Sequence, residues 1–390
     1  MQDFTKVDDF YRPTTSEPKP KPAKKRGAKG CLAIGCVIPA AIFLALGIIG
    51  SIVESMKENE PASKEQTAEV EKNNEEPPAE TRQKDSAATN STPTRTPPPG
   101  IRYVPADENG TTLEEALEEL NGLIGLTEVK KEVEKFAKFI QVAQEREKAG
   151  LKVAKISYHM VFTGNPGTGK TTVARIMAKI YRALGVVKGG HLVETDRGGL
   201  IAGYVGQTAE KTSEVIDFAL DGVLFIDEAY AITEGDKNQG YGAECIATLL
   251  KRMEDDRDRL VVIVAGYTDE MKRFIDANPG LQSRFNRYIE FPDYSAKELA
   301  DIYRMRAKSN QYILSADAEH WLEPYIAVMT KERDRKFGNG RWVRNEFEKA
   351  VERQAMRLAE KESPTKEELM TLTMKDIGIK LKDPDASQED

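Results

Sequence analysis

From Thr111 to about residue 380, apolar residues follow two alternating spacings along the chain. Val129, Val133, Phe136 and Ile140 recur at the spacing of one helix face and predict the buried side of a helix. Short apolar runs predict strands at residues 159–163, 191–194, 223–226, 260–265 and 288–291. Because helix-like stretches separate most of these runs, the pattern predicts an α/β fold whose mostly parallel sheet is covered on both faces.

After Pro292 the apolar spacing is helical only, which predicts a small helical subdomain. Ser295–Glu298 fits a capping box that opens its first helix, and two overlapping boxes, Thr111–Glu114 and Thr112–Glu115, fit an earlier helix start. The patterns therefore predict an α/β subdomain, a helical subdomain and a polar acidic tail, at residues 109–292, 293–382 and 383–390.

The longest apolar run extends from Cys31 to Val53, and its 23 residues include no charged side chain. As a helix it would be about 34 Å long, enough to cross the ~30 Å hydrocarbon core of a bilayer. A buried core helix of this length would normally carry a polar face. A cleaved signal peptide would have its basic region nearer the start and a clear small-x-small site after the run. We therefore predict a single transmembrane helix at residues 31–53.

Polar segments flank this apolar run on both sides. Residues 1–30 are punctuated by proline and carry six Lys and Arg side chains between Lys19 and Lys29. Residues 54–108 are rich in Glu, Lys, Pro, Ser, Thr and Asn and contain few large apolar side chains. Such a composition cannot bury enough apolar surface to offset the chain entropy of folding. We therefore expect a basic polar tail at residues 1–30 and a disordered linker at residues 54–108.

Composition narrows the functional classes further. The chain has 390 residues and a mean hydropathy of −0.52, which averages the apolar run with a very polar remainder. Three cysteines and three histidines, without the spacing of a metal site, argue against a zinc centre. The net charge of −7 argues against a general nucleic-acid-binding protein, so no nucleic-acid partner is expected.

The strongest chemical motif follows a predicted strand and reads GNPGTGKT from Gly164 to Thr171. It leads into an apolar-faced helix, which is the setting of a phosphate-binding P-loop, whereas a glycine-rich turn that binds nothing is the alternative. The glycines let backbone N–H groups turn toward phosphate oxygens at a helix start that favours anions. Lys170 is expected to reach the outer phosphates, and the Thr171 hydroxyl to ligate Mg²⁺. The predicted nucleotide-binding residues of this motif are Gly164, Asn165, Pro166, Gly167, Thr168, Gly169, Lys170, Thr171 and Thr172.

A pair of acidic residues, Asp227 and Glu228, follows the predicted strand at residues 223–226. Ligands bind at the carboxyl edge of open α/β sheets, and both carboxylates are expected at that edge. Asp227 is suited to hold Mg²⁺, mostly through water, and Glu228 to polarise an attacking water. Alone, such an acidic pair usually marks the start of an exposed loop. In a chain that has a P-loop upstream, the pair indicates a nucleotide hydrolase.

Together these motifs resemble those of the AAA+ ATPases. The matching segments are GNPGTGKTTVAR, GVLFIDEAY, VIVAGYTDEM and NPGLQSRFNRYIEFPDYS, and they occur in that family's order. More narrowly they resemble the CbbX/CfxQ group, which includes stage V sporulation protein K-like proteins. The resemblance extends from about Leu123 to Leu358 and implies a P-loop NTPase domain, a helical lid and ATP and Mg²⁺ as cofactors. It also implies that Ile124 and Gly125 pack on the adenine.

The resemblance implies roles for several arginines. Arg284 matches the arginine finger that reaches the nucleotide of a neighbouring subunit, and Arg341 matches the sensor-2 arginine of the lid. Arg287 is a second finger candidate or an ordinary surface arginine. Arg344 lies three residues after Arg341 on the same helix face and either assists it or is solvated. The expected catalytic residues are Glu228, Lys170, Arg284 and Arg341.

One position departs from the common AAA+ pattern. The polar sensor after the fourth strand is usually Asn, whereas residues 265–268 read AGYT, as the CbbX-like group also has AGY. Tyr267 and Thr268 are the sensor-1 candidates, because either hydroxyl can orient the attacking water.

The segment RGGLIAGYVG, from Arg197 to Gly206, resembles the pore loop of ring-forming AAA+ remodellers. In that loop an aromatic-aliphatic-glycine triplet, here Tyr204, Val205 and Gly206, projects into a central channel and grips a polypeptide. A loop whose tyrosine packs locally is the alternative.

These expectations combine into one function. We expect an ATP-hydrolysing AAA+ remodeller that forms a homo-oligomeric ring, expected to be a hexamer, and pulls on a protein substrate while residues 31–53 tether it to a membrane. The alternative is a nucleotide-dependent switch or assembly ATPase of a membrane-associated secretion or sporulation apparatus. A Rubisco-activating role, which the resemblance also allows, fits poorly with a membrane tether.

Membrane topology carries two conflicting expectations. Basic residues precede the apolar run and acidic residues follow it, so the positive-inside rule places residues 54–390 outside the cytoplasm. ATP, however, is abundant only inside the cell. We give the availability of ATP more weight and expect a single-pass membrane protein with a cytoplasmic ATPase domain.

Overall fold

The computed structural model describes residues 97–107, 110–154, 156–204, 206–234, 240–334 and 336–379. These residues all belong to one compact unit of the chain. The predicted basic tail, membrane helix and most of the linker, which together span residues 1–96, lie outside the described residues, as does the predicted tail at 383–390. Within the described part of the chain, no helix combines the length and apolar character needed to cross a bilayer.

The described residues form a six-stranded sheet in the order β1-β3-β4-β5-β2-β6. All of its pairings are parallel except that of β1 with β3, so the prediction of a mostly parallel sheet is confirmed. The strands are β1 Ile101–Val104, β2 Met160–Gly164, β3 Leu192–Thr195, β4 Gly222–Ile226, β5 Leu260–Gly266 and β6 Tyr288–Phe291. Five of these six strands lie where the apolar runs predicted them.

The first strand corrects the expected linker boundary. The disordered linker was predicted to reach residue 108, but Ile101–Val104 pairs antiparallel with β3 at the edge of the sheet. Ile101 lies opposite Thr195, and Val104 lies opposite Leu192. Because the strand has four residues and is held by pairing with residues nearly a hundred positions away, local composition carries no signal for it.

Helices cover both faces of the sheet. Alternate residues of a strand point to opposite sides. Phe162 and Phe225 therefore enter one core, while Val161 and Leu224 enter the other. The helices of this part are α1 Leu113–Asn121, α2 Thr127–Lys148, α3 Lys170–Ala183, α4 Arg197–Leu200, α5 Thr208–Ala219, α6 Tyr241–Asp255, α7 Thr268–Asp276 and α8 Pro279–Arg284. The predicted stripe of α2 is buried, and the cap of α1 is the Thr112–Glu115 box.

The part after Pro292 is mainly helical, as predicted. Its helices are α9 Ala296–Ser309, α10 Ala316–Met329, α11 Gly340–Ala359, α12 Lys366–Met370 and α13 Met374–Ile377. The Ser295–Glu298 capping box opens α9 as expected. The expectation that strands stop here is wrong in one detail, since β7 Ile313–Leu314 pairs in parallel with β8 Thr371–Leu372. Two-residue strands lack a measurable period, so only the packing of the helices reveals them.

Candidate nucleotide-binding site

A cleft of about 310 Å³ opens where the carboxyl ends of β2, β4 and β5 meet the helical part of the chain. These three strands are neighbours in the sheet, so the loops that follow them converge on one place. The residues that line the cleft are Gly164, Pro166, Gly167, Gly169, Lys170, Thr171, Thr172, Asp227, Glu228, Gly266, Tyr267, Arg306, Gly340, Arg341 and Arg344. The cleft thus combines the P-loop, which ends at Thr171, and the acidic pair, which begins 56 positions later at Asp227, with a third set of residues from α9 and α11.

The glycine-rich loop packs directly against the start of α11. Gly167 has a φ of +70°, and a Cβ placed on it would lie 2.1 Å from the carbonyl oxygen of Gly338. The carbonyl oxygen of Gly167 accepts a hydrogen bond of 3.0 Å from the backbone N–H of Gly340. No larger residue fits this close approach without displacing backbone, so glycine is required here both by conformation and by space.

Lys170 is folded back onto the loop that precedes it. Its Nζ donates hydrogen bonds of 2.8 Å to the carbonyl oxygens of Gly164 and Asn165. Burial lowers the pKa of Lys170 below its usual value, while Asp227 and Glu228 act in the opposite direction. A phosphate group in the cleft would offer this amino group a charged acceptor in place of two neutral carbonyls, which is the stronger pairing.

Asp227 and Glu228 leave β4 in an unusual backbone conformation. Glu228 adopts φ 47° and ψ 43°, in the left-handed region, before the short 3₁₀ helix Ala229–Ile232. The N–H of Asp227 donates to the Thr195 carbonyl at 2.9 Å, and the N–H of Glu228 donates to Oδ1 of Asp227 at 3.0 Å. These bonds keep both carboxylates at the sheet edge, where they line the cleft with Thr171.

The donor set beside Thr171 is suited to Mg²⁺ shared with a phosphate. Among the described residues there is no group of three or more His, Cys, Asp or Glu side chains that could hold a metal. One hydroxyl and the Asp227 carboxylate are, however, the kind of partial set that Mg²⁺ takes when waters and substrate phosphates complete its shell. The residues present therefore fit the ion that the sequence predicted.

The two sensor-1 candidates are placed differently. Tyr267 lines the cleft, and its ring centroid lies 6.0 Å from that of Tyr230. Burial, followed by the nearby Glu228 carboxylate, raises the pKa of Tyr267, so its hydroxyl keeps its proton. Thr268 begins α7 and lies outside the described lining of the cleft.

The predicted adenine segment lies beside the P-loop rather than in the lining of the cleft. Gly125 adopts a φ of +63°, and a Cβ placed on it would meet the Glu298 carboxylate and the ring of Tyr294. The hydroxyl of Tyr294 donates to the carbonyl oxygen of Thr168 at 3.2 Å. Ile124, which precedes Gly125, is half-buried. This segment therefore borders the P-loop through Tyr294.

The two finger candidates occupy different environments. Arg284, at the end of α8, pairs with Glu254 at 3.3 Å and lies outside the cleft of its own chain. Its Nε is buried and has no hydrogen-bond partner among the described residues. Arg287 stacks over Phe136, with 3.7 Å from the guanidinium carbon to the ring centroid, and reaches Phe139 at 5.2 Å. Arg287 therefore packs on α2 and is partly exposed.

The segment that contains the predicted pore loop is anchored at its start and exposed at its tip. Asp196 caps α4 by accepting the N–H groups of Gly198 and Gly199, and Arg197 donates to the carbonyl oxygens of Ala231 and Glu234. Tyr204 is 74% exposed. Val205 lies outside the described residues, and Gly206 has a φ of +82°.

Sequence reasoning missed three residues that shape this site, namely Asp293, Asn339 and Arg306. Asn165 of the P-loop donates to Asp293 at 2.9 Å, and Asn339 donates to the same carboxylate at 2.7 Å. Arg306 enters the cleft from α9. The partners of Asp293 lie 128 and 46 positions away along the chain, so no local spacing could have identified them. The GNG segment that contains Asn339 was the available signal, because it lies next to a predicted site arginine.

Comparison with known families agrees with this arrangement. Residues 160–293 match the ATPase family associated with various cellular activities (AAA), and residues 295–388 match the AAA lid domain. Together the two matches cover more than half of the chain, and they meet at the segment where Asp293 and Tyr294 contact the P-loop.

Curated relatives show the same similarity along longer segments. Stage V sporulation protein K of Bacillus subtilis is 44% identical over 269 residues, which are 69% of this chain and 83% of the relative. CbbX of Cereibacter sphaeroides is 46% identical over 254 residues, or 65% of this chain and 82% of the relative. The ESX-3 secretion system protein EccA3 of Mycobacterium tuberculosis is 42% identical over 288 residues, which are 70% of this chain but 46% of that protein.

Proposed function

The chain belongs to the AAA ATPase family, in the group that includes stage V sporulation protein K, CfxQ and CbbX, and from this premise we propose a ring-forming protein remodeller. The chain is an ATPase. The proposal adds that ATP turnover in the cleft drives the exposed loop around Tyr204 to pull on a polypeptide. The 74% exposure of Tyr204, on a segment whose start is anchored, is the observation that carries this proposal.

The proposed chemistry is transfer of the terminal phosphoryl group of ATP to water. Glu228 accepts a proton from the attacking water at its carboxylate, and the hydroxyl of Tyr267 orients that water. Lys170 exchanges the carbonyl oxygens of its own loop for phosphate oxygens, and Arg341 stabilises the charge of the transferred group. Thr171 and Asp227 would hold Mg²⁺, which would supply positive charge to neutralise the phosphates.

Arg284 supports the assembly part of the proposal. It lies away from the cleft of its own chain and keeps a buried Nε without a partner among the described residues. A guanidinium in this state is suited to meet a phosphate carried by a neighbouring copy of the chain. We propose that copies assemble as a ring in which Arg284 completes the adjacent cleft, with a hexamer as the expected size.

The experiment that tests the remodelling proposal compares Tyr204→Ala with wild type for binding of a labelled, permanently unfolded polypeptide in the presence of a slowly hydrolysed ATP analogue. We expect binding to weaken about tenfold or more, because an aromatic anchor is lost from every subunit. Tyr288→Ala is the matched control, since Tyr288 is 55% exposed on β6. Equal binding by the Tyr204 variant and wild type would favour the alternative of a nucleotide-dependent switch or assembly ATPase in a secretion or sporulation apparatus.

A membrane tether at residues 31–53 is also proposed, with the ATPase on the cytoplasmic side. This part of the proposal depends on the uncharged run in the sequence alone. Protease added to intact cells should leave a C-terminal tag uncut. Cleavage of the tag would place the ATPase outside, as the charge bias around the run predicts.

A further inference from the structure

Arg306 occupies the nucleotide cleft, although none of the sequence motifs includes it. It lies on α9, which is the first helix of the lid, and it lines the cleft together with Arg341 and Arg344 of α11. Arginine is suited to this position, because its planar fork of N–H donors matches phosphate oxygens.

The guanidinium of Arg306 is incompletely paired. Its Nε is buried and has no hydrogen-bond partner among the described residues. Its Nη2 atom lies 3.9 Å from Oε1 of Glu348, which is beyond hydrogen-bonding distance. The ring of Phe347 lies 5.9 Å from its central carbon. A buried donor without an acceptor is costly, so this arrangement is better explained if a further acceptor completes it.

Glu348 is shared between two arginines of the cleft. The same Oε1 that faces Arg306 lies 3.8 Å from Nε of Arg344. Neither contact is short enough for a direct hydrogen bond, so the carboxylate neutralises both guanidinium groups without satisfying either. A polyphosphate offers several charged oxygens, which would pair with both arginines more strongly.

The charges of the residues that line the cleft also favour binding of a polyphosphate. Among its described lining residues, the cations are Lys170, Arg306, Arg341 and Arg344, and the carboxylates are Asp227 and Glu228. The cations therefore exceed the carboxylates. This excess complements a triphosphate whose charge Mg²⁺ neutralises only in part.

We propose that Arg306 binds the polyphosphate chain of ATP and exchanges its loose pair with Glu348 for phosphate oxygens when nucleotide enters. The inference rests on the proposed nucleotide cleft. Since Arg306 belongs to α9 and Arg341 to α11, the phosphates then contact two helices of the lid at once. Arg306 therefore favours the longer polyphosphate and makes the lid sensitive to whether ATP or ADP is bound.

The test measures equilibrium binding of a slowly hydrolysed fluorescent ATP analogue and of fluorescent ADP, both with Mg²⁺. Arg306→Gln should weaken binding of the ATP analogue about tenfold, which corresponds to roughly 1.4 kcal/mol, and that of ADP less. Arg304→Gln is the matched control, because Arg304 lies on the same helix and pairs with Asp301 and Glu319 outside the cleft. Equal losses in the Arg306 and Arg304 variants would overturn the inference.

A second variant, Glu348→Gln, is expected to change the affinity for the ATP analogue in the opposite direction. Glu348→Gln removes the carboxylate that competes with phosphate, so the ATP analogue should bind about two- to threefold more tightly. Weaker or unchanged binding would mean that Arg306 and Glu348 only hold the lid together, and this variant decides the question even if Arg306→Gln does not fold. Wild-type protein that binds no ATP analogue would overturn the proposed cleft itself, and the inference with it.

Discussion

Glu228 combines a catalytic residue type with a backbone conformation that side chains rarely adopt. Its φ of 47° is left-handed, although it is neither glycine nor asparagine. Such conformations cost free energy and persist where the surrounding structure holds them, as the hydrogen bonds of Asp227 do here. The turn places the Glu228 carboxylate in the cleft immediately after a fully buried strand.

Replacing Glu228 by Gln should keep ATP binding and lower turnover about 100- to 10,000-fold, because the amide cannot accept the proton of the attacking water. Phosphate release measures turnover, and a fluorescent nucleotide measures binding. Glu290→Gln, an exposed carboxylate on β6, is the control and should turn over ATP at the wild-type rate. Normal turnover in the Glu228 variant would assign the base to another residue.

At the scale of structural elements, the junction between the P-loop and the lid depends on the carboxylate of Asp293. Asp293 accepts hydrogen bonds from Asn165 and Asn339, and Asn339 in turn accepts the backbone N–H of Tyr294 at 3.0 Å. Asn339 is fully buried and adopts a φ of +44°. The predicted phosphate-binding loop and the start of the helix that carries Arg341 are therefore joined through a short polar network.

Asp293→Asn should lower the free energy of unfolding by about 1–3 kcal/mol, because two hydrogen bonds to a charged acceptor become bonds to a neutral one. Denaturant unfolding monitored with and without ATP analogue measures the loss. Asp301→Asn is the control, since its pair with Arg304 is partly exposed and should contribute 1 kcal/mol or less. Equal losses in both variants would show that the junction adds no more than a surface ion pair.

Element positions could be predicted where a local period exists. The runs at residues 159–163 and 260–265 became β2 and β5 with no end shifted by more than one residue, because continuous burial leaves a clear apolar signature. β1 could not be predicted from the same rule. Its four residues show the burial of an edge strand, and their partner is distant in sequence.

At the scale of the whole molecule, the position of Arg284 bears on the proposal that a neighbouring copy completes the active site. Its guanidinium pairs with Glu254 and is not among the residues that line the nucleotide cleft, so in this arrangement it does not reach a nucleotide bound by its own chain. A role in hydrolysis therefore requires a second copy whose cleft faces α8.

Arg284→Ala should lower turnover about 10³- to 10⁵-fold while an isolated subunit binds nucleotide normally. Mixing this variant with Glu228→Gln subunits should recover part of the turnover, since some interfaces then pair an intact Glu228 with an intact Arg284. Arg273→Ala, at an exposed position of α7, is the control. Recovery no greater than the sum of the two inactive proteins would contradict a shared site.

The sequence by itself determined the α/β alternation, the P-loop, the acidic pair after β4 and the Ser295–Glu298 capping box, because each depends on neighbouring residues and a fixed local spacing. Only the tertiary structure decided that β1 closes the sheet edge, that Arg287 stacks on Phe136 and that Arg306 enters the cleft. It also decided which carboxylate joins Asn165 to Asn339. These contacts bring together side chains that are distant along the chain, and packing selects them among many chemically equivalent residues that share no local pattern.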